Sequence, residues 1–336
     1  MKEARYYNTT GDNTVQCYLC PHNCIIKPEN RGQCRVRKNI NGILYSENYE
    51  QVCSIGFDPI EKKPFYHYFP GKIIFSVGSI GCNLHCKFCQ NWGISQSNCE
   101  EFEQLHSASP DQVINLALSR HENIGIAFTY NEPAVWYEYM MDIARLSEQE
   151  LGLRNVMVSN GYINQEPLED LFPYIDAFSI DLKAFTDVFY HEVTGTRLQP
   201  VLDTLKRIRA AGKHLEITNL LITNRNDDPD RFKEMVGWIE SELGRDTVLH
   251  ISRYFPAYKL DEPKTPEETL YKFYEIASSK LNYVYLGNLR SNHGQDTYCP
   301  ECKTKVIKRS GYNTEIVGLK KNGHCSLCDH KIIQYI

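Results

Sequence analysis

Seven apolar, β-branched runs punctuate the middle of the chain: IIFSV (73–77), IGIAFT (124–129), NVMVS (155–159), AFSIDL (177–182), HLEITNLL (214–221), TVLHISRYF (247–255) and NYVYLG (282–287). Runs of this length between turn-forming residues predict strands. Helical patterns fill most of the gaps. SPDQVINLALSRH opens on a Ser/Asp start signal. DDPDRFKEMVGWIESELG repeats its apolar residues at helical spacing and stops at Gly244. TPEETLYKFYEIASSKL begins with Thr-Pro and acids in its first turn. Strand and helix alternating in this way predict an α/β fold with a mostly parallel sheet, either doubly wound or rolled into a full or partial barrel.

Both architectures place their chemistry at the C-terminal ends of the strands. The expected first strand runs into GCNLHCKFCQNWGISQ, the second into TYNEP (129–133), the third into SNGY (159–162), and the fourth ends in DLK (181–183). Each has a plain reading alone: Asn-Gly is a turn, Asn-Glu-Pro can begin a helix, and Asp-Leu-Lys can be a solvated strand end. Four successive polar strand ends around one cysteine loop point instead to a binding site. Asp181 and Lys183 share a face by the period of two, so both enter the interior or neither does.

Composition adds boundaries. The 336 residues suffice for one large core plus small modules, and 42% hydrophobic with 24% charged residues is ordinary for a globular chain. No apolar stretch approaches the ~20 residues needed to span a bilayer, and the polar start MKEARYYNTTGD predicts no secretory signal, so a cytoplasmic location is expected. The net charge of −5 is uneven: residues 17–40 and 299–336 are each +4, and residues 41–298 are −13. The basic ends suit the charge of thiolate-bound metals, and the acidic middle argues against nucleic acid.

In a reducing compartment thirteen cysteines argue for metals rather than disulfides. They fall into Cys17, Cys20, Cys24 and Cys34; Cys82, Cys86 and Cys89; and Cys299, Cys302, Cys325 and Cys328, with Cys53 and Cys99 left as plain thiols. CPEC and CSLC at the C-terminus read as a closed four-cysteine zinc ribbon, a rubredoxin-like iron site being the alternative. The N-terminal CxxCxxxCx9C takes either zinc or an auxiliary iron–sulfur cluster. The middle CxxxCxxC could form a zinc site completed by His85 or Cys99, but zinc usually takes paired knuckles, whereas three thiols on one loop suit a [4Fe–4S] cube with one iron left open. The expected segments are an N-terminal Cys-rich module (1–70), a barrel (71–297) and a ribbon-like module (298–336).

GCNLHCKFCQNW resembles the cluster loop of radical S-adenosylmethionine (SAM) enzymes. With DPIEKKPFYHYFPG, CQNWGISQ, FTYNEP, SNGY, DLKAF, RYFPAYK and the terminal ribbon, nearly the whole chain resembles the AmmeMemoRadiSam system radical SAM enzymes, relatives of the pyruvate formate-lyase activating enzymes. The resemblance implies a partial (β/α)6-type radical SAM barrel with NYVYLG peripheral or as an additional strand, and a [4Fe–4S] cluster on Cys82, Cys86 and Cys89 whose fourth iron takes SAM. It further implies Glu132 on the SAM ammonium within Tyr130-Asn131-Glu132, where many relatives have Gly-Gly-Glu. Lys183 falls to the SAM carboxylate beside Asp181, Asn160 to the ribose, and His250 to a weaker role at the end of the sixth strand. An electron donor such as flavodoxin or ferredoxin is implied, as are a protein substrate and Memo-type and AMMECR-type partners. Three functions are in view: hydrogen abstraction from a partner-protein glycine, the same chemistry on a small molecule or RNA, and a non-catalytic zinc protein. The open ligand set disfavours the last.

Overall fold

All seven expected strands form, and they pair in the order in which the chain supplies them. The computed structural model describes residues 1–149, 152–291 and 293–336. Its main sheet has eight strands: β1 (Ser54–Pro59), β2 (Ile73–Gly78), β3 (Asn123–Phe128), β4 (Arg154–Ser159), β5 (Ala177–Asp181), β6 (His214–Leu221), β7 (Val248–Arg253) and β8 (Val284–Gly287). β1 runs antiparallel to β2, and every later neighbour is parallel. The consecutive order has no reversal point, which excludes the doubly wound alternative, and β1 and β8 stay unpaired to each other, so the barrel is open. Helices α1 (Pro110–Leu118), α2 (Tyr137–Gln149), α3 (Gln165–Glu169), α4 (Gln199–Ala210), α5 (Pro229–Leu243) and α6 (Glu267–Ser278) connect the parallel strands. That makes six strand–helix units, with NYVYLG supplying the additional strand β8.

Alternation along each strand separates a helix-facing core from the interior. On β5, Phe178 and Ile180 join a large core with Val201, Leu205 and Ile208 of α4. Ala177 packs instead with Phe65 and Tyr68, and Asp181 lines a cavity at the strand ends. The segment PFYHYFP (64–70) closes the opposite end as a plug. Its Tyr66 and His67 N–H groups donate to the buried Glu216 carboxylate at 2.9 and 2.8 Å, and His214 and His250 pair with the same carboxylate at 2.9 and 2.7 Å. Burial opposes that charge, but hydrogen bonds from His214 and His250 hold Glu216 well below the ordinary carboxylate range. Away from this base, a cavity opens where the strand ends carry polar residues.

The C-terminal ribbon, β9 (Thr297–Tyr298), β10 (Lys305–Ser310) and β11 (Asn313–Ile316), docks on this plug. Buried Arg309 donates to the Tyr66 carbonyl at 2.7 Å and lies over the Tyr66 ring at 4.3 Å. At the other end of the chain, two small three-stranded sheets hold the first cysteines, and buried Arg37 pairs with Glu138 of α2 at 2.6 Å. No helix among the described residues is long and apolar enough to cross a membrane.

Candidate functional site

The cysteine loop leaves β2 through a backbone that only glycine fits. A Cβ on Gly78 would lie 2.5 Å from the Thr129 carbonyl, and one on Gly81, at φ +87°, would lie 2.7 Å from Val36. This close passage sets Cys82, Cys86 and Cys89 against the ends of β3, β4 and β5. All three line a cavity of about 470 Å3 that also receives Ser95, Asn131, Glu132, Asp181 and Lys183. Donors approach two of the sulfurs: Leu84 N–H reaches Cys82 Sγ at 3.4 Å and Ser95 Oγ lies 3.2 Å from Cys89 Sγ. Burial pushes the Cys86 thiol up to about 12, partly offset by Lys183, so a bound metal is what would make such sulfurs thiolates.

Glu132 is 1% exposed and accepts from Ala134 N–H at 3.0 Å, Ser159 Oγ at 2.7 Å and Asn160 N–H at 2.8 Å. Burial raises its pKa to about 7 despite those donors, and among the described residues no lysine, arginine or histidine pairs with it. A cavity acid lacking a cation suits an ammonium ligand. Next to it, Asn131 donates Nδ2 to the Gly81 carbonyl at 2.7 Å and leaves a buried Oδ1 without a partner. Lys183 Nζ meets Asp181 Oδ2 at 2.6 Å, and both line the cavity, as the period of two requires. Burial disfavours the lysine charge, but Asp181 and Cys86 hold its pKa well above the ordinary value. The donor set therefore fits the two parts of the implied cofactor pair: three thiols for a cluster, and an acid and a cation for the two charges of an amino-acid tail.

Tyr130 and Asn160 line the same cavity, whereas His250 and His85 lie outside it. Asn160 turns its amide to Asn83 Oδ1 at 2.9 Å and toward Cys82 Sγ at 3.6 Å, and accepts from Tyr162 N–H at its Oδ1. Tyr130, at φ +76°, sends its hydroxyl to Asp58 at 2.9 Å, with Lys63 Nζ 4.4 Å from its ring centre. His250 lies outside the cysteine cavity; bound to Glu216, it lines an adjoining one of about 750 Å3. His85 bonds Gln96 and Gln33 instead of the cysteines. Sequence reasoning missed Ser95, Ser159 and the buried Lys63–Asp58 pair (2.7 Å), although DPIEKK and the serine heading SNGY were in view.

The other two cysteine groups differ in spacing. The sulfurs of Cys299, Cys302, Cys325 and Cys328 all lie within 4.8 Å of one another, with Cys299–Cys328 and Cys302–Cys325 both at 3.5 Å. A tetrahedron with metal–sulfur bonds of ~2.3 Å has edges of ~3.8 Å, so this group fits a single ion. Cys17, Cys20, Cys24 and Cys34 line one small enclosed space. Cys53 donates to the Ser79 carbonyl at 2.8 Å, and Cys99 packs with Phe102 and Leu105.

Comparison with known proteins bears on family and fold. A profile of the Radical SAM superfamily matches residues 77–239, from the end of β2 into α5. The chain is 43% identical over 335 residues to Uncharacterized protein MJ0808 of Methanocaldococcus jannaschii, covering 99% of each. A radical SAM methyltransferase from Sphaerobacter thermophilus superposes with a TM-score of 0.52 at 16% identity, over 65% of this chain and 67% of that one, a likeness of fold alone. A domain of a pyruvate-formate lyase-activating enzyme from Bacteroides vulgatus aligns over 49% of this chain and 99% of its own, at 20% identity and a TM-score of 0.43. By the profile match over residues 77–239, with a fold like that of a radical SAM methyltransferase, the chain contains a Radical SAM domain.

Proposed function

We propose that this chain is an enzyme that holds a [4Fe–4S] cluster on Cys82, Cys86 and Cys89 and binds SAM in the 470 Å3 cavity beside it. When bound, the reduced cluster supplies one electron to the SAM sulfonium, giving methionine and a 5′-deoxyadenosyl radical that abstracts hydrogen from the substrate. The observation that carries this reading is the meeting of three thiols with Glu132 and the Asp181–Lys183 pair in one cavity. Glu132 receives the ammonium, and Lys183 is shared between Asp181 and the SAM carboxylate. Leu84 N–H, Ser95 and the Asn160 amide orient the sulfurs. Electrons come from a low-potential carrier of the flavodoxin or ferredoxin class.

The adjoining 750 Å3 cavity, which shares Lys62, Gln90, Thr218, Ser252 and Asn288 with the first, receives the substrate. The resemblance to activating enzymes supports a glycine Cα in a partner protein as hydrogen donor. The cavity's volume, inside the ~300–1,000 Å3 range of small-molecule sites, supports a small molecule as the second reading. The ribbon cysteines hold zinc in a structural role.

Electron paramagnetic resonance tests the binding half. Adding SAM to the reduced, reconstituted protein should change the cluster's line shape, and the signal that changes should vanish in the Cys82→Ala/Cys86→Ala/Cys89→Ala variant. A cluster signal indifferent to SAM would overturn the proposal.

A further inference from the structure

The N-terminal cysteines are drawn together without being closed on an ion. Cys17 lies on a strand paired with Ile25–Ile26, Cys20 and Cys24 follow in the connecting turn, and Cys34 returns from a loop that passes over them. Gly32 permits that passage: a Cβ there would sit 3.2 Å from Ile26 and 3.6 Å from Cys24 Sγ. All four cysteines line one enclosed space whose other walls include Leu19, Ile26 and Val135, each at most 2% exposed.

Arg37 supplies a second, independent observation. It is 1% exposed and lines the same space. Its Nη2 donates to the Arg5 carbonyl at 2.8 Å and to Glu138 at 2.6 Å, while its Nε and Nη1 are buried and have no partner. Buried guanidinium N–H groups are costly to leave unpaired. Beside four cysteines, the acceptors they need are thiolate or inorganic sulfur. A site built with an N–H-rich cation in its wall is a site for an anionic metal–thiolate group.

Spacing points to the larger group. The ribbon cysteines of the same protein close to within 4.8 Å of one another, as one tetrahedral ion demands, and the N-terminal four do not. A cluster carries its thiolates on the outside of an iron–sulfide core and holds them farther apart. We propose that Cys17, Cys20, Cys24 and Cys34 ligate an auxiliary iron–sulfur cluster with every cysteine position filled, and that Arg37 is its charge partner.

The location gives such a cluster a redox setting. His22 Nε2 meets the Asn83 carbonyl at 2.7 Å and Gln33 meets His85 at 3.2 Å, so the module clamps the loop that carries Cys82 and Cys86. The Cys34 carbonyl would lie 2.8 Å from a Cβ on Gly81. Cys24 also borders an open groove lined by His22, Arg31, Arg35 and Lys259, which leaves one side of the site close to solvent.

The Cys82→Ala/Cys86→Ala/Cys89→Ala variant tests this apart from any SAM chemistry, because it removes the other cluster. After anaerobic reconstitution it should keep iron and sulfide in equal amounts, and the iron count, four or two per chain, gives the cluster type. Adding Cys20→Ser and Cys34→Ser should abolish that iron and leave the ribbon zinc. A triple variant with no iron and two zinc ions per chain would overturn the proposal, as would iron that survives the serine substitutions. In the triple variant, Arg37→Met should lower the cluster's midpoint potential, since loss of a buried cation disfavours the more negative reduced state, and Arg37→Lys should restore most of the shift. An unchanged potential in a folded Arg37→Met protein would remove Arg37 from the site. If Arg37→Met does not fold, the Arg37→Lys potential carries that part of the test: a value equal to that of Arg37 supports a charge role, and loss of the cluster contradicts it.

Discussion

The Glu132 carboxylate accepts the Ser159 hydroxyl at 2.7 Å, linking the ends of β3 and β4 inside the cavity that holds the three loop cysteines. The acid is thus fixed in position yet pairs with no cation among the described residues, and burial raises its pKa to about 7. An ammonium ligand selects the ionised form. SAM affinity should therefore fall as pH drops through 7, by about tenfold between pH 8 and pH 6 if ionisation is required. Glu132→Gln should bind SAM more weakly at all pH values, by ~2–5 kcal/mol, and lose the pH dependence. Iron content should not change. The ligand-free protein carries the matching stability effect. The folded state keeps a proton that the unfolded chain releases above about 4.5, so stability should decline as pH rises from there through about 7, and this slope should flatten in Glu132→Gln. Calorimetric titration and melting across pH check both.

Lys183 stands 2.6 Å from Asp181 and lines the same cavity. Lys183→Met should weaken SAM binding by ~2–5 kcal/mol through loss of a desolvated charge partner, with iron retained. A double-mutant cycle with Asp181→Asn separates the pair's own energy from its effect on the ligand. Equal SAM affinity in the parent and Lys183→Met would remove the lysine from the binding site.

At Gly81 the positive φ and the contacts with Val36 and the Cys34 carbonyl leave no room for a side chain. Gly81→Ala should cost at least ~1–2 kcal/mol from the backbone alone. Because the residue precedes Cys82, the damage should appear as lower iron incorporation together with a lower melting temperature. Full iron loading with unchanged melting would contradict the close-packed loop.

The ribbon gives a metal prediction of its own. Cys325→Ala should release one zinc per chain while iron stays. The melting temperature of the whole protein should fall, because Arg309 and Tyr335 tie the ribbon to Tyr66 and Tyr68 of the barrel plug. Metal analysis and scanning calorimetry read the two effects together.

Physical range explains what the sequence revealed. β-branched runs and period-two alternation are local, so seven strands and the shared face of Asp181 and Lys183 were legible, as was a cysteine loop whose spacing is its signal. β1 (SIGFDP) was hidden by its Gly, Asp and Pro. The Glu216 partners of His250 and of the PFYHYFP plug lie 34 and about 150 positions away, so no window of sequence could show that His250 serves the barrel base. Asn160 presents the same difficulty: its neighbours Asn83 and Cys82 reach it only through the strand order. The consecutive winding that separates this open barrel from a doubly wound sheet is likewise a property of pairing, invisible in a list of strands.

Product analysis tests the central claim most directly. Reconstituted protein, reduced under anaerobic conditions and given SAM, should form 5′-deoxyadenosine and methionine in equal amounts, slowly alone and faster with substrate, and the Cys82→Ala/Cys86→Ala/Cys89→Ala variant should form neither. A parent protein with a full, reduced cluster that binds SAM yet yields no 5′-deoxyadenosine would contradict the account.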